Sequence, residues 1–365
     1  MTEPQPTVVS VVGARPQFVK LGPVSRALRR HGVHEIVVHT GQHHDAAMSQ
    51  DFFRELSLPD PDVNLGIHAP GPLAQLGSMV IALGEVLADH APRLVLVFGD
   101  TTSTVAAALA ASYLGVPVAH VEAGMRSFDP AMPEEIARVV TDRLARLWFT
   151  ASETAEVNLR REGLGPSDFV GDVMYDVVRE AEQRLDDGNA TMGRFGVRPG
   201  EFVLATVHRA RNTDEKDRLE RIVEMLTRLP VPVVFPVHPR TQQALRRHGL
   251  AERLLAGSRV IVTEPLRYLD TLALARGARR VFTDSGGLQK EAFYLGTPCT
   301  TLREETEWVE TVDLGWNVLV GTEVDRALAT LDMAPPPRVA PGPYGDGTAG
   351  EAVARRVRRW LNETA

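Results

Sequence analysis

Short apolar runs alternate with longer amphipathic stretches along almost the whole chain. In the first half, Val8–Val12, Ile36–His39, Leu94–Phe98, Val118–Val121 and Leu147–Phe149 read as strands. Each is a brief β-branched or aromatic block bounded by polar or turn-forming residues. Between them Phe18–Arg30, Leu73–Ala88, Thr101–Leu114 and Glu135–Leu144 carry apolar residues at helical spacing. A second series starts after about residue 185, with strands at Val203–Thr206, Val233–Val237, Val260–Val262, Val281–Thr283 and Cys299–Thr301. Helical patterns at Leu219–Leu229, Thr241–His248, Tyr268–Arg276 and Leu288–Leu295 separate them. Strands that are apolar on both faces belong to parallel sheets covered by helices on either side.

The expected fold class is therefore α/β: two Rossmann-like doubly wound domains, residues 1–180 and 181–348. Leu185–Gly200, rich in Asp, Gly and Asn, reads as the linker, and the Pro/Gly-rich Pro335–Gly347 as a loop. A last helix, Glu351–Leu361 within residues 349–365, is expected to pack back on the first domain. Two such sheets in tandem predict an interdomain cleft faced by the C-terminal strand ends, where ligands of doubly wound sheets bind.

Length and composition support a globular soluble protein of two domains rather than a membrane or fibrous one: 44% of residues are hydrophobic and 24% charged. No apolar run reads as approaching the roughly 20 residues that span a bilayer. The single cysteine, Cys299, excludes an intrachain disulfide and a cysteine-cluster zinc site. Met1–Thr7 lacks the basic region and apolar core of a signal peptide, so a cytoplasmic location is expected. The net charge is −7, and the basic residues are dispersed, which argues against a nucleic-acid surface. An anionic ligand must then be met by cations gathered locally.

Chemistry-bearing residues cluster at predicted strand ends. After the first strand, Gly13-Ala14-Arg15-Pro16 opens a helix containing Lys20. Backbone N–H groups, a helix N-terminus and two cations there suit an anion; an ordinary βα turn with surface cations is the competing reading. Asp100 in Gly99-Asp100-Thr101-Thr102-Ser103-Thr104 is either a ligand-edge carboxylate or a helix N-cap. Glu122 in His120-Val121-Glu122-Ala123-Gly124 follows a buried strand; Arg126 is its bland partner. Glu134 and Glu135 open a helix whose dipole favours acids, and Arg138 sits within ion-pair reach of Glu134. In the second half His208-Arg209 and His238-Pro239-Arg240 each end a strand. Thr283-Asp284-Ser285-Gly286-Gly287 offers a hydroxyl and backbone donors to phosphate. Glu291, one turn further along, suits the two hydroxyls of a ribose. Arg303 and Glu307 add charge after a further strand.

At these residues the chain resembles the non-hydrolysing UDP-N-acetylglucosamine 2-epimerases, a family of GT-B architecture. The resemblance runs over roughly residues 8–321, through Gly-Ala-Arg-Pro (13–16), Gly-Asp-Thr-Thr-Ser-Thr (99–104), His-Val-Glu-Ala-Gly-Met-Arg-Ser (120–127), Pro-Glu-Glu-Ile-Ala-Arg (133–138) and Thr-Asp-Ser-Gly-Gly-Leu-Gln-Lys-Glu (283–291). It implies epimerisation at carbon 2 without redox or metal cofactors. The sugar would lose its carbon-2 proton and expel UDP, leaving a 2-acetamidoglucal, and UDP would add back after protonation from the opposite face. By the same match Asp100, Glu122 and Glu134 are the acid/base set, with His208 a further catalytic or phosphate-binding group. Arg15, Ser285, Gly286 and Gly287 would hold phosphate, and Glu291 the ribose. Lys20, Arg138, Arg209, His238, Arg303 and Glu307 complete the expected substrate-binding set. A homodimer is implied as well.

Two departures from the family pattern stand out. Gln42-His43-His44-Asp45 replaces a Gln-x-x-Gln that helps hold an activator UDP-sugar in some members, so weak or absent activation is expected. Thr306-Glu307-Trp308-Val309-Glu310 replaces a pattern with Arg-Pro after the Glu, as in the branch that includes epimerases of UDP-2,3-diacetamido-glucuronic acid. A hydrolysing epimerase and a GT-B glycosyltransferase are the rival readings.

Overall fold

The computed structural model describes residues 6–42, 60–185, 189–256, 259–338 and 342–364. His43, His44 and Asp45, on which the activator expectation turns, lie outside the described residues. The chain divides into two compact units, Met1–Arg179 with Pro341–Ala365, and Glu180–Ala340.

Among the described residues, the first unit contains seven strands: β1 (Thr7–Val12), β2 (His34–His39), β3 (Val63–Asn64), β4 (Leu94–Phe98), β5 (Val118–Ala123), β6 (Leu147–Thr150) and β7 (Asp168–Phe169). They pair in parallel in the order β3-β2-β1-β4-β5-β6-β7. β1 is an inner strand, with Val9 opposite Ile36 on one side and Val95 on the other. β4 and β5 are buried end to end and β1 from Val8 onward, as inner strands of a parallel sheet covered on both faces are. The helix Thr102–Tyr113 is mostly alanine and serine and packs between the helices Pro72–His90 and Pro133–Leu144. Small side chains allow that close stacking under the ends of β4 and β5.

Pro72–His90 departs from the expectation that no segment is apolar enough to cross a membrane: by length and composition this helix is. Its mean hydropathy is raised by small residues as well as large ones, and its Met79, Leu83 and Leu87 stripe is part of the unit's core. The helix Ala349–Glu363 belongs to the first unit. It lies against the helix Arg15–Arg30, and a Cβ on Gly350 would come within 2.8 Å of the Pro23 backbone. Asp176 caps it, accepting from the N–H groups of Ala349 and Gly350 at 2.9 and 2.7 Å.

The second unit holds β8 (Val203–Thr206), β9 (Val233–Pro236), β10 (Val260–Thr263), β11 (Arg280–Thr283), β12 (Cys299–Thr301) and β13 (Asn317–Leu319) in the parallel order β10-β9-β8-β11-β12-β13. Its core gathers Val203, Val233, Phe235 and Phe282 of the sheet with Leu219, Ile222 and Leu226 of the helix Lys216–Arg228. Both sheets thus reverse strand order beside their first strand, at the β1/β4 and β8/β11 junctions. That is the switch point where doubly wound sheets open a crevice for ligands. A helix, Asn189–Arg194, occupies part of the stretch expected to be an irregular linker.

Candidate active site

In the first unit, the acids stand at the C-terminal ends of β4 and β5. Glu122 lies in the left-handed region, at φ 69°, and a register shift between Val121 and Ala123 marks a bulge there. A non-glycine residue held in that conformation costs about 1–3 kcal/mol, and such residues gather at functional sites. The bulge re-aims its side chain. Its buried carboxylate meets the half-buried Lys20 ammonium in an ion pair. Arg126, the bland partner, turns instead to Asp142 and Glu162. Gly99 flanks the Lys20–Glu122 pair, since a Cβ on it would stand 3.2 Å from Lys20 Nζ and 3.3 Å from Glu122 Oε2.

Asp100 follows Gly99 and is not the helix cap. Thr101 caps the Thr102–Tyr113 helix through Thr104. Asp100 is free to accept from Arg138 Nη2 at 2.5 Å. Arg138 also donates to Glu135 at 2.9 Å, and Glu135 accepts from the N–H groups of Ser127 and Phe128. Burial alone would raise the Glu135 carboxyl, but these donors hold it below its ordinary range. Glu135 is therefore committed to fixing the loop, while its neighbour Glu134 is half-buried at the helix start.

The Gly13 turn behaves differently from the anion cradle expected of it. The N–H groups of Gly13 and Ala14 donate to Gln17 Oε1 at 2.8 and 3.0 Å. Gln17 Nε2 in turn donates to the Phe98 carbonyl and Thr104 Oγ1, both at 2.9 Å, so this buried amide ties β1 to β4. Arg15 opens the helix, but its side chain lies outside what is described.

In the second unit one buried carboxylate organises the strand ends. Asp284 accepts from the His208 and Arg209 N–H groups at 3.0 and 2.9 Å and from Asn212 Nδ2 at 3.1 Å. His208 Nδ1 lies 3.1 Å from it. Burial pushes the Asp284 carboxyl up, but the His208 contact and these donors outweigh it and hold it down. The His208 ring sits 5.7 Å from the His238 ring, so the two strand-end histidines do converge. Ser285 caps the Gly286–Leu295 helix by accepting from Leu288 N–H. Beside Gly286 stand Trp308 Nε1, Arg209 and Glu307, at 3.5, 3.9 and 3.9 Å from where its Cβ would be. Arg303 grips Glu307 at 3.1 Å through both nitrogens of its fork, which offsets the negative charge there. Lys290, buried, lies 3.6 Å over the Trp308 ring. Donor N–H groups at a helix N-terminus, a guanidinium and an indole N–H are groups whose chemistry suits an anion.

The family model described as UDP-N-acetylglucosamine 2-epimerase matches residues 26–358. The chain belongs to that family. A UDP-N-acetylglucosamine 2-epimerase homolog of Methanococcus maripaludis is 44% identical over 96% of this chain and 99% of its own length. The UDP-2,3-diacetamido-2,3-dideoxy-D-glucuronate 2-epimerase of Pseudomonas aeruginosa is 42% identical over 96% and 99%. The crystal structure of Methanocaldococcus jannaschii UDP-GlcNAc 2-epimerase in complex with UDP-GlcNAc and UDP superposes with a TM-score of 0.88. It shares 37% identity and covers 97% of this chain and 99% of its own. The two Rossmann-like units are thus those of the GT-B 2-epimerase fold.

For a 2-epimerase the chain's own geometry groups its residues clearly. In the first unit Glu122 pairs with Lys20 and Asp100 with Arg138. In the second, His208, His238, Arg209, Ser285, Gly286 and Gly287 surround one helix N-terminus, with Glu291 buried further along that helix. Sequence reading missed Gln17, Asp142, Trp308 and the organising part of Asp284. Each acts through partners distant in sequence, so no local spacing announces it.

Proposed function

We propose that this protein interconverts UDP-GlcNAc and UDP-ManNAc by inverting carbon 2. The observation that carries the reading is Glu122: a carboxylate on strained backbone at a bulge, ion-paired with Lys20 beside Gly99, with Asp100 and Arg138 next in line. Such acids at a sheet's ligand edge suit proton transfer on both faces of a carbon. Removal of the carbon-2 proton drives the C1–O bond electrons onto UDP, which leaves, and a 2-acetamidoglucal remains. Protonation at carbon 2 from the opposite face and return of UDP to carbon 1 complete the cycle. The His208–Asp284 pair, Arg209 and the Gly286–Gly287 N–H groups would stabilise the diphosphate as it departs. Glu291 would hold the ribose.

The test is incubation with UDP-GlcNAc in D2O followed by proton NMR. The expected product is UDP-ManNAc deuterated at carbon 2 with UDP retained. Free ManNAc and UDP would show hydrolysis instead, and absence of deuterium would overturn the reading for this sugar. The variant Trp308 segment and the 42% identical relative favour a second substrate, UDP-2,3-diacetamido-2,3-dideoxyglucuronate, for the same assay. A cytoplasmic site of action is supported by the single cysteine, buried Cys299, whose thiol burial pushes up to about 12. A homodimer is supported by the apolar surface of Pro72–His90, where Leu73 and Ile81 are exposed, and by exposed Tyr113 on the neighbouring helix. Sedimentation of Ile81→Asp should then yield monomer.

A further inference from the structure

We infer that His120 and Asp142 form a positioning pair that fixes the backbone on which Asp100 and Glu122 stand. The inference rests on the epimerase reading of those two acids. Neither residue of the pair has any exposed surface. His120 Nε2 lies 2.8 Å from the Gly99 carbonyl, one residue before Asp100, and His120 Nδ1 lies 2.7 Å from Asp142 Oδ1. The second oxygen of Asp142 accepts from the Gly124 N–H at 3.0 Å, two residues past Glu122. It also accepts from Arg126 Nη1 at 2.7 Å, and Arg126 is clamped in turn by Glu162 at 2.7 and 2.8 Å. One carboxylate therefore reaches both acid-bearing turns, one directly and one through an imidazole.

Those turns need holding. Gly99, Glu122 and Gly124 all lie at positive φ, 61°, 69° and 80°. The Gly124 carbonyl is held separately by Asn158 Nδ2 at 3.0 Å. A glutamate will not keep a left-handed backbone unless its flanks leave no alternative. A buried ionic chain is a poor device for stability alone, because apolar residues would serve as well. Its distinctive property is that it fixes one geometry. Both ring nitrogens of His120 face acceptors, and the Asp142 carboxylate accepts from two further donors, the Gly124 N–H and Arg126 Nη1. Contacts to acceptors on both sides call for a hydrogen on each ring nitrogen, and the donors around Asp142 hold its carboxyl below the ordinary range despite its burial.

The experiment is Asp142→Asn, read by carbon-2 deuterium incorporation on UDP-GlcNAc and the diacetamido-uronate. The expected result is a kcat loss of about 100-fold with KM near wild type, since misplacement of reacting groups acts on the chemical step. The His120→Asn variant should lose a similar factor, and the double variant no more than either alone, as for residues acting as one unit. Nitrogen-15 NMR of the wild-type imidazoles should show His120 protonated at both nitrogens and, in Asp142→Asn, at one. A merely structural role would lower the melting temperature and raise KM in step with the fall in kcat, and that outcome overturns the inference. So does an Asp142→Asn enzyme with wild-type kcat. Should neither variant fold, the wild-type spectrum decides, because a singly protonated His120 ring is incompatible with the pair. Wild-type protein that exchanges neither sugar overturns the epimerase reading and this inference with it. Wild-type exchange with undiminished variants overturns the positioning pair alone.

Discussion

Each unit contains a histidine held by a buried aspartate, and the two pairs are used in opposite ways. In the first unit the far nitrogen of His120 is spent on a backbone carbonyl inside the protein. In the second the His208 side chain is 37% exposed, and Asp284 holds the Nδ1 side of its ring. The same chemical pair thus serves as scaffold in one sheet and faces outward in the other. What differs is the strand end that each occupies. His120 lies within β5, two residues before the bulge, while His208 lies two residues beyond β8, where the chain has left the sheet. A shift of a few residues along a strand decides whether the ring is spent inside the protein or stands exposed.

The comparison is tested most severely by the acids themselves. If proton transfer belongs to the first unit, Glu122→Gln and Asp100→Asn should each lower deuterium incorporation by roughly 100- to 10,000-fold. UDP binding by calorimetry should change little in either. Loss of UDP affinity equal to the loss of rate would erase the division between the units. Next in size is Asp284→Ala, which leaves the His208 and Arg209 N–H groups without their side-chain acceptor and Asn212 with the Leu302 carbonyl alone. It should destabilise by about 3 kcal/mol in denaturant melts and weaken UDP binding as well. A folded variant with unchanged UDP affinity would show that His208 needs no orienting partner.

Ser285→Ala removes only a helix cap, so about 1 kcal/mol of stability is expected to go, with a modest fall in UDP affinity. The smallest effect sharpens the contrast from the side of pH. Burial pushes the Glu35 carboxyl above its ordinary 4.5, against hydrogen bonds from Ser10 and Ser25 and the charge of Arg29 that lower it. The folded state therefore holds a proton that the unfolded chain releases. The resulting stability is present below the unfolded value and is lost as pH rises through the folded one. Glu35→Gln should remove that slope and melt higher than wild type at neutral pH. Identical pH profiles for the two proteins would rule the linkage out.

Much of the fold was legible because inner strands are apolar on both faces: Leu94–Phe98, Val203–Thr206 and Cys299–Thr301 begin and end where the pattern places them. Three strands escaped notice, Val63–Asn64, Asp168–Phe169 and Asn317–Leu319. All are two or three residues long at sheet edges, where one face and one ladder are missing and no apolar run is needed. Helices began earlier than the periodicity suggested, as at Arg15 and Lys216, because first turns are polar and cap-bearing rather than packed. At the site, strand-end acids and the Ser285-Gly286-Gly287 turn could be read locally. Their partners could not: Lys20 is 102 residues from Glu122, and His208 is 76 from Asp284. A pairing of that kind is a property of the sheet order and has no local spacing.

The helix Ala349–Glu363 lies on the first unit yet follows all of the second in the sequence. On a ribosome this sets an order of maturation. The second unit, a continuous stretch, is fully synthesised and able to close its core while the first still lacks the helix that covers Pro23 and is capped by Asp176. A nascent chain can therefore assemble the strand ends around Asp284 before the unit that carries Asp100 and Glu122 receives the helix Ala349–Glu363.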